Sequence, residues 1–89
     1  MTEVHIIGLD LAKRGFQAHG AMSDGTLVFR KKLSRNQVLA FLSSQPHCIV
    51  AMEACARAHY WGREIGALGH EVRLIAPAYV KPFVKPPKE

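Results

Sequence analysis

The chain has 89 residues, and its 12 Lys and Arg against 7 Asp and Glu give a net charge of +5. This length predicts one small domain, and 48% hydrophobic residues exclude a disordered tail. No apolar run approaches the ~20 residues that span a bilayer, no signal segment is recognisable, and two cysteines are too few for a disulfide framework, so we predict a cytoplasmic protein without a membrane partner.

The first third of the sequence predicts three strands of an antiparallel meander. Residues 4–12 form a nearly unbroken apolar run, which is typical of a central strand covered on both faces. Residues 16–22 alternate apolar and polar side chains, and Asp24–Gly25 is a hairpin signal before a third strand at 26–33. Cations on the third strand are typical of a sheet edge. They are Arg30, Lys31 and Lys32.

The rest of the sequence predicts two helix–strand units. Ser34 and Gln37 form a capping box at the start of a helix over residues 35–44. A second helix is ended by Gly69 at its C′ position. Short apolar runs predict one strand between the helices and one after them. These runs cover residues 48–52, followed by Glu53, and residues 71–76.

The predicted topology is therefore β-β-β-α-β-α-β. Right-handed crossovers between the parallel strands then give a five-stranded mixed sheet in the order 3-2-1-4-5. This is an α/β, ribonuclease H-like fold, which we expect to be truncated before its C-terminal helix. We assign residues 1–77 to this domain and interpret residues 78–89, which are rich in Pro and Lys, as a linker or tail.

Two acids lie at the ends of the two most apolar predicted strands. Asp10 is near the end of the first strand, and Glu53 ends the fourth. Because the carboxyl ends of parallel neighbours share one edge of a sheet, both carboxylates are predicted to lie together. Neighbouring carboxylates repel unless a cation neutralises them, and their oxygens suit Mg²⁺ or Mn²⁺, which also bind phosphate. The pair therefore indicates a metal site for chemistry at phosphorus.

Each acid also has a structural interpretation. Asp10 could cap the turn that follows it, and Glu53 could be a first-turn acid of the second helix. Lys13 is close enough to Asp10 to meet a phosphate, or it is a solvated turn lysine. Lys81 and Lys85 lie in the proline-rich tail, where they are predicted to contact nucleic-acid phosphates without sequence preference.

An aromatic segment begins the second predicted helix. His59, Tyr60 and Trp61 could stack on bases. Trp61, however, shares a helical stripe with Ile65 and Leu68, so we interpret it as a core residue. Neither His59 nor His19 has a second histidine or cysteine at the spacing of zinc ligands, so we predict no zinc site.

Two stretches, GLDLAK and VAMEACARAHYWGREIGALGHEVRLIAPAYVKPFVK, carry a family resemblance. They resemble the N-terminal domain of DEDD insertion-sequence transposases, the IS-one-ten/IS-eleven-eleven group, which also includes site-specific DNA invertases. The resemblance implies a fold like that of Holliday-junction resolvases, in which four acids hold divalent metal and cut or rejoin DNA. Asp10 matches the first acid and Glu53 the second, so both are implied as catalytic. The implied partners are DNA, other copies of the chain in a homo-oligomer, and a guide RNA encoded by the element.

The sequence also departs from the family pattern. In the family, two further aspartates follow the segment that contains lysine and proline, whereas no aspartate occurs after Asp24 in this chain. The family's C-terminal domain, which is thought to supply a serine nucleophile, is not matched either. We therefore expect this portion of a DNA transposase or recombinase to bind Mg²⁺ or Mn²⁺ weakly and to be inactive alone.

Two other functions are compatible with the same topology. A non-catalytic interaction module would bury its exposed fifth-strand side by dimerising. The nucleotide-binding half of an actin-like or sugar-kinase fold also has an acid on its first strand, in a motif like Gly8-Leu9-Asp10. Such a fold normally follows that acid with Gly and Ser or Thr, which Leu11-Ala12-Lys13 does not supply.

Overall fold

We analysed a computed structural model of the chain, which describes residues 4–11 and 15–75. The strands are β1 (Ile6–Leu11), β2 (Phe16–Ala21), β3 (Leu27–Leu33), β4 (Ile49–Glu53) and β5 (Glu71–Ile75). The helices are α1 (Val38–Ser43), which follows a 3₁₀ turn at Arg35–Gln37, and α2 (Ala56–Ala67). The predicted domain boundary and the tail at 78–89 lie outside the described residues. No described helix is long and apolar enough to cross a membrane.

The five strands form one mixed sheet in the order β3-β2-β1-β4-β5. β1 pairs antiparallel with β2 and parallel with β4, and β4 pairs parallel with β5. This topology confirms the α/β, ribonuclease H-like arrangement predicted from the order of apolar runs. The position of β3 at the edge of the sheet also agrees with its three consecutive cations.

Both helices pack on the same face of the sheet. Phe29 of β3 meets Phe41 of α1 with ring centroids 5.4 Å apart, and Phe16 of β2 meets Trp61 of α2 at 5.1 Å. Strand residues that alternate with the exposed ones point into this layer. The largest fully buried side chains are Ile7, Leu9, Leu42, Met52, Ile65, Val38 and Val50. The sheet and the two helices therefore enclose one hydrophobic core.

The opposite side of the sheet, which we call the helix-free face, has no covering element within residues 4–11 and 15–75. The apolar run of β1 predicts cover on both faces, so the described part of the chain differs from that expectation. Small residues explain the difference. Gly8 is buried and Ala51 is only 2% exposed, because their neighbours on adjacent strands shield them without a second layer. An unbroken apolar run thus reflects the central position of β1 more than cover on both faces.

Local hydrogen bonds confirm the predicted turn and helix start. The Asp24 carboxylate accepts a hydrogen bond from the Thr26 amide at 2.9 Å, which lowers the pKa of Asp24, and Gly25 has a φ of +91°. The Gln37 side-chain oxygen accepts from the Ser34 amide at 2.8 Å. The Gln37 amide donates in turn to the Ser34 carbonyl at 2.9 Å. This i to i+3 bond explains why the predicted helix begins with a 3₁₀ turn.

Candidate functional site

Asp10 and Glu53 occupy neighbouring positions at the carboxyl edge of the parallel strands. The β1–β4 ladder ends with Leu9 opposite Met52, and the two acids are the next residues of the same register. Neighbouring strands lie about 4.8 Å apart. Because Leu9 and Met52 are fully buried against the helices, both acids lie on the helix-free face. The structure therefore brings together the two acids that the sequence predicts as partners.

The structure also tests one of the structural interpretations. Glu53 is the last residue of β4, whereas α2 begins at Ala56 and has no acidic residue in its first turn. The alternative interpretation of Glu53 as a first-turn helix acid is therefore wrong. Asp10 is exposed and Glu53 is half-buried. Lys13 and the rest of the turn after Asp10 lie outside the described residues, as do Lys81 and Lys85.

A row of polar side chains crosses the sheet at this edge, on the helix-free face. The register places Lys32 opposite Gln17 and Gln17 opposite Asp10. On the other side of the acids, Glu53 lies opposite Ile75. Lys32 is thus two strands from Asp10, about 10 Å by strand spacing. The row therefore places one cation on the same face of the sheet as the two acids.

The two acids suit a hard divalent cation but supply only part of a complete ligand set. Mg²⁺ prefers carboxylate oxygens, and it commonly keeps several waters while one or two carboxylates bind it. Asp10 and Glu53 fit that description, because they share an edge and a face. Within the described part of the chain, however, no group of three or more His, Cys, Asp or Glu could hold a metal ion.

A second group of side chains lies at the same edge, on the helix side of the sheet. Trp61 is 3% exposed and packs edge-on against Phe16, which confirms its predicted place in the core. The Arg35 guanidinium carbon lies 5.3 Å from the centroid of the Trp61 ring, within the range of a cation–π contact. Tyr60 also meets Trp61, at 5.1 Å between centroids, yet it is 42% exposed. We call Phe16, Arg35, Tyr60 and Trp61 the aromatic–arginine cluster.

The sequence did not identify Arg35 as a candidate site residue, and it raised Tyr60 only as one of three aromatic residues that could stack on bases. Both lie near the acids because their elements start at the same edge. Arg35 follows the end of β3, and α2 begins three residues after Glu53. A helical-wheel comparison would have separated Tyr60 from the buried stripe, because it lies about 100° from Trp61 around the helix. The contact of Arg35 with Trp61 leaves no such signal.

Two cavities are present, one near the opposite edge of the sheet and one on the helix-free face that extends to Ile75, the neighbour of Glu53 on β5. Their volumes are about 740 and 380 Å³, and His5, Met22 and Ser23 line both of them. Neither cavity is lined by Asp10 or Glu53. The acids therefore lie on an open surface outside both cavities. Enclosed clefts are typical of small-molecule sites, whereas an open charged edge suits an extended polymer.

Known proteins with similar sequences are transposases. The chain is 58% identical over 79 residues to a probable family 20 transposase of Pseudomonas aeruginosa, covering 89% of this chain and 23% of that protein. It is 49% identical over 85 residues to the transposase for insertion sequence element IS1328 of Yersinia enterocolitica, covering 96% of this chain and 25% of the relative. The transposase for IS1111A of Coxiella burnetii is 35% identical over 85 residues, which are 96% of this chain and 23% of that protein.

These relatives are much longer than the chain, which spans about a quarter of the length of each of them. No family model matches the chain. The matched regions nevertheless cover 89–96% of the chain. Over most of its length, the chain is therefore homologous to transposases of insertion sequences, including that of IS1111A.

Proposed function

We propose that the chain forms part of the catalytic domain of a DNA transposase that works by metal-dependent phosphodiester cleavage and strand transfer. The observation that carries this proposal is the shared register of Asp10 and Glu53 at one edge of the sheet. Relatives named as transposases supply the reaction class. DNA is accordingly the proposed partner.

In this proposal, Asp10 and Glu53 are two ligands of Mg²⁺ or Mn²⁺. When bound, such an ion stabilises the negative charge that develops on phosphodiester oxygens. β1 and β4 each pair with strands on both sides, so the backbone holds both carboxylates in fixed register. Lys32, in the same row of side chains, would favour a phosphate beside them. The protein thus contributes preorganised charge.

We further propose that the chain alone binds metal weakly and does not cut DNA. Two carboxylates leave most of the coordination sphere to water, and the described residues supply no third ligand. The longer relatives have about four times the length over which to provide more. Micromolar or tighter binding of Mn²⁺ in calorimetry, together with strand cleavage by the pure chain, would overturn this part of the proposal.

Paramagnetic broadening by Mn²⁺ locates a weak site directly. We expect titration of the ¹⁵N-labelled chain to broaden the amide signals at the ends of β1 and β4 first. Asp10→Asn and Glu53→Gln should each reduce this local effect. Asp24→Asn and Glu64→Gln remove the same charges elsewhere and should leave it intact. Broadening centred on another acid, or equal loss in all four variants, would refute the metal assignment.

A non-catalytic interaction module is the second candidate, and the helix-free face favours it. Ile6, Ile49, Ile75 and Ala51 line a cavity of about 380 Å³ on that face. A second copy of the chain could cover these side chains and form the proposed homo-oligomer. Light scattering that shows a monomer at every concentration would contradict this candidate. The guide RNA stays a prediction from the family resemblance.

A further inference from the structure

We propose that the aromatic–arginine cluster binds an unpaired stretch of a DNA strand beside the acids, with Tyr60 stacking on a base and Arg35 contacting a phosphate. This inference rests on the proposed function, because it assigns the DNA contacts of the same edge. It differs from the tail contacts predicted at Lys81 and Lys85, since it depends on described side chains and on stacking as well as charge.

Tyr60 is one of the few large apolar side chains that the fold leaves exposed. Only two large hydrophobic side chains are exposed within the described residues, Leu27 at 50% and Tyr60 at 42%. Leu27 follows the β2–β3 hairpin, at the opposite end of the sheet from the acids. Tyr60 has its ring fixed edge-on against the buried Trp61. A fixed, half-exposed ring suits base stacking, because every base has a face that can stack on it. Tyrosine also has only two side-chain torsions, so little conformational entropy is lost when the ring is held by a base.

Arg35 is held in place and keeps its charge available. Its guanidinium lies over the Trp61 ring, which restricts the side chain without neutralising it. Within residues 4–11 and 15–75, the one salt bridge joins Arg73 and Glu71, so no acid in this part of the chain is paired with Arg35. A guanidinium placed over an aromatic ring still has N–H donors at its rim, and these match phosphate oxygens. Arg35 therefore has the geometry of a phosphate contact.

The cluster and the acids lie at one edge of the sheet but on its two sides. Phe16 pairs with Leu11 at the end of β1 and with Leu33 at the end of β3, which fixes the cluster at the edge where Asp10 lies. The acids are on the helix-free face and the cluster is on the helix side. A strand that reaches the acids across this edge therefore passes Arg35 and Tyr60. Paired bases would hide their faces from Tyr60, so the contacted stretch is unpaired.

Fluorescence anisotropy of a labelled single-stranded DNA tests this surface with the 89-residue chain. An oligonucleotide of about 20 nucleotides exceeds the usual site size of a small domain. We expect Tyr60→Ser to weaken binding by at least about fivefold, because stacking of one base contributes on the order of 1–3 kcal/mol. Tyr60→Phe should bind within about twofold of wild type, because the ring remains. The matched control Leu27→Ser removes the other exposed apolar side chain and should also stay within that range.

The charge contact has its own pair of variants. Arg35→Gln should weaken binding and reduce the slope of log affinity against log salt by about 0.7, the value for one phosphate contact on a single strand. Arg30→Gln removes the same charge from the helix-free side of β3 and should affect binding less. Equal losses in Arg35→Gln and Arg30→Gln, or in Tyr60→Ser and Leu27→Ser, would overturn the proposal. So would tighter binding of RNA of the same sequence, because it would assign the surface to RNA.

Trp61 provides a local readout, since it is the single tryptophan of the chain. Its contacts with Arg35 and Tyr60 mean that a strand on the cluster should change its emission. Unchanged emission at saturating DNA would place the strand elsewhere and refute the assignment. All titrations are done in EDTA, so loss of metal binding cannot produce these results. Failure of the Mn²⁺ experiment and failure of this surface are therefore distinguishable.

Discussion

His70→Ala should be among the most destabilising changes at a polar side chain of this domain. His70 precedes β5 and is 5% exposed. Its Nε2 lies 2.7 Å from the carbonyl oxygen of Leu42, which can only accept, so Nε2 carries the proton. Its Nδ1 is then the acceptor for the Cys48 amide at 3.2 Å. One ring thus joins the start of β5 to α1 and to the residue before β4.

The size of the stability loss follows from the two backbone groups that lose their hydrogen bonds to the His70 ring. Without the ring, the Cys48 amide loses its acceptor in a partly buried position, which costs about 1–3 kcal/mol. The Leu42 carbonyl still accepts from the Gln45 amide at 3.2 Å, so losing the ring there costs only about 1 kcal/mol. Together these two losses give a decrease of about 2–4 kcal/mol in the free energy of unfolding, to which the lost packing of the ring adds. For a domain of this size that corresponds to a fall in Tm of about 10–25 °C.

Urea denaturation followed by Trp61 emission and by circular dichroism measures this loss. His47→Ala is the matched control, because its exposed ring packs against His70 at 5.8 Å but makes neither of these bonds. We expect the control to lie within about 0.5 kcal/mol of wild type. His70→Gln can keep a donor for Leu42, and His70→Asn can keep an acceptor for Cys48, so each should recover part of the loss. If His70→Ala and His47→Ala destabilise equally, the reasoning about hydrogen bonds is wrong.

Further predictions concern a helix end and the two thiols. Gly69→Ala should lower stability by about 1–2 kcal/mol, because Gly69 has a φ of +101°. Gly66→Ala, in an exposed position of α2, should raise stability by about 0.5–1 kcal/mol. If urea titration showed the same change in stability for Gly69→Ala and Gly66→Ala, this reasoning would be wrong. Burial raises the pKa of the Cys48 thiol above its ordinary 9.0, whereas Cys55 is exposed, so mass spectrometry should show that iodoacetamide modifies Cys55 first. The unfolded Cys48 thiol releases its proton at lower pH than the folded one, so the free energy of unfolding should decline as pH rises above 9.0. This decline should be smaller in Cys48→Ser.

The topology was predictable because its signals are local. Three of them each specify a short segment independently of the rest: the apolar run of β1, the Asp24–Gly25 turn, and Gly69, which follows α2. His70 was not predictable in this way. Its partners Leu42 and Cys48 are 28 and 22 residues away in sequence, so their bonds exist only once the fold has formed.

The candidate site also has a part that was predictable from local sequence signals and a part that depends on tertiary contacts. Asp10 and Glu53 were predictable, because a general rule places the ends of parallel strands together. The contact between Arg35 and Trp61 was not predictable, because it joins two separate elements of the fold. A helical wheel separates Tyr60 from the stripe of Trp61, but it does not show, before the helix is packed, how much of the Tyr60 ring stays exposed. The same packing then decides which of the two rings is available to a ligand.

The side of the sheet on which the acids lie constrains how the site is completed. Asp10 and Glu53 alternate with core residues and so lie on the helix-free face, whereas α1 and α2 cover the other face. A residue of either helix could reach the acids only around this edge of the sheet. The direct approach for an additional carboxylate, from another segment or another copy of the chain, is over the helix-free face, near Ile75 and Gln17. A segment that completed the proposed metal site from this side would also bury apolar side chains of the helix-free face, so metal binding and burial of that face should be thermodynamically coupled.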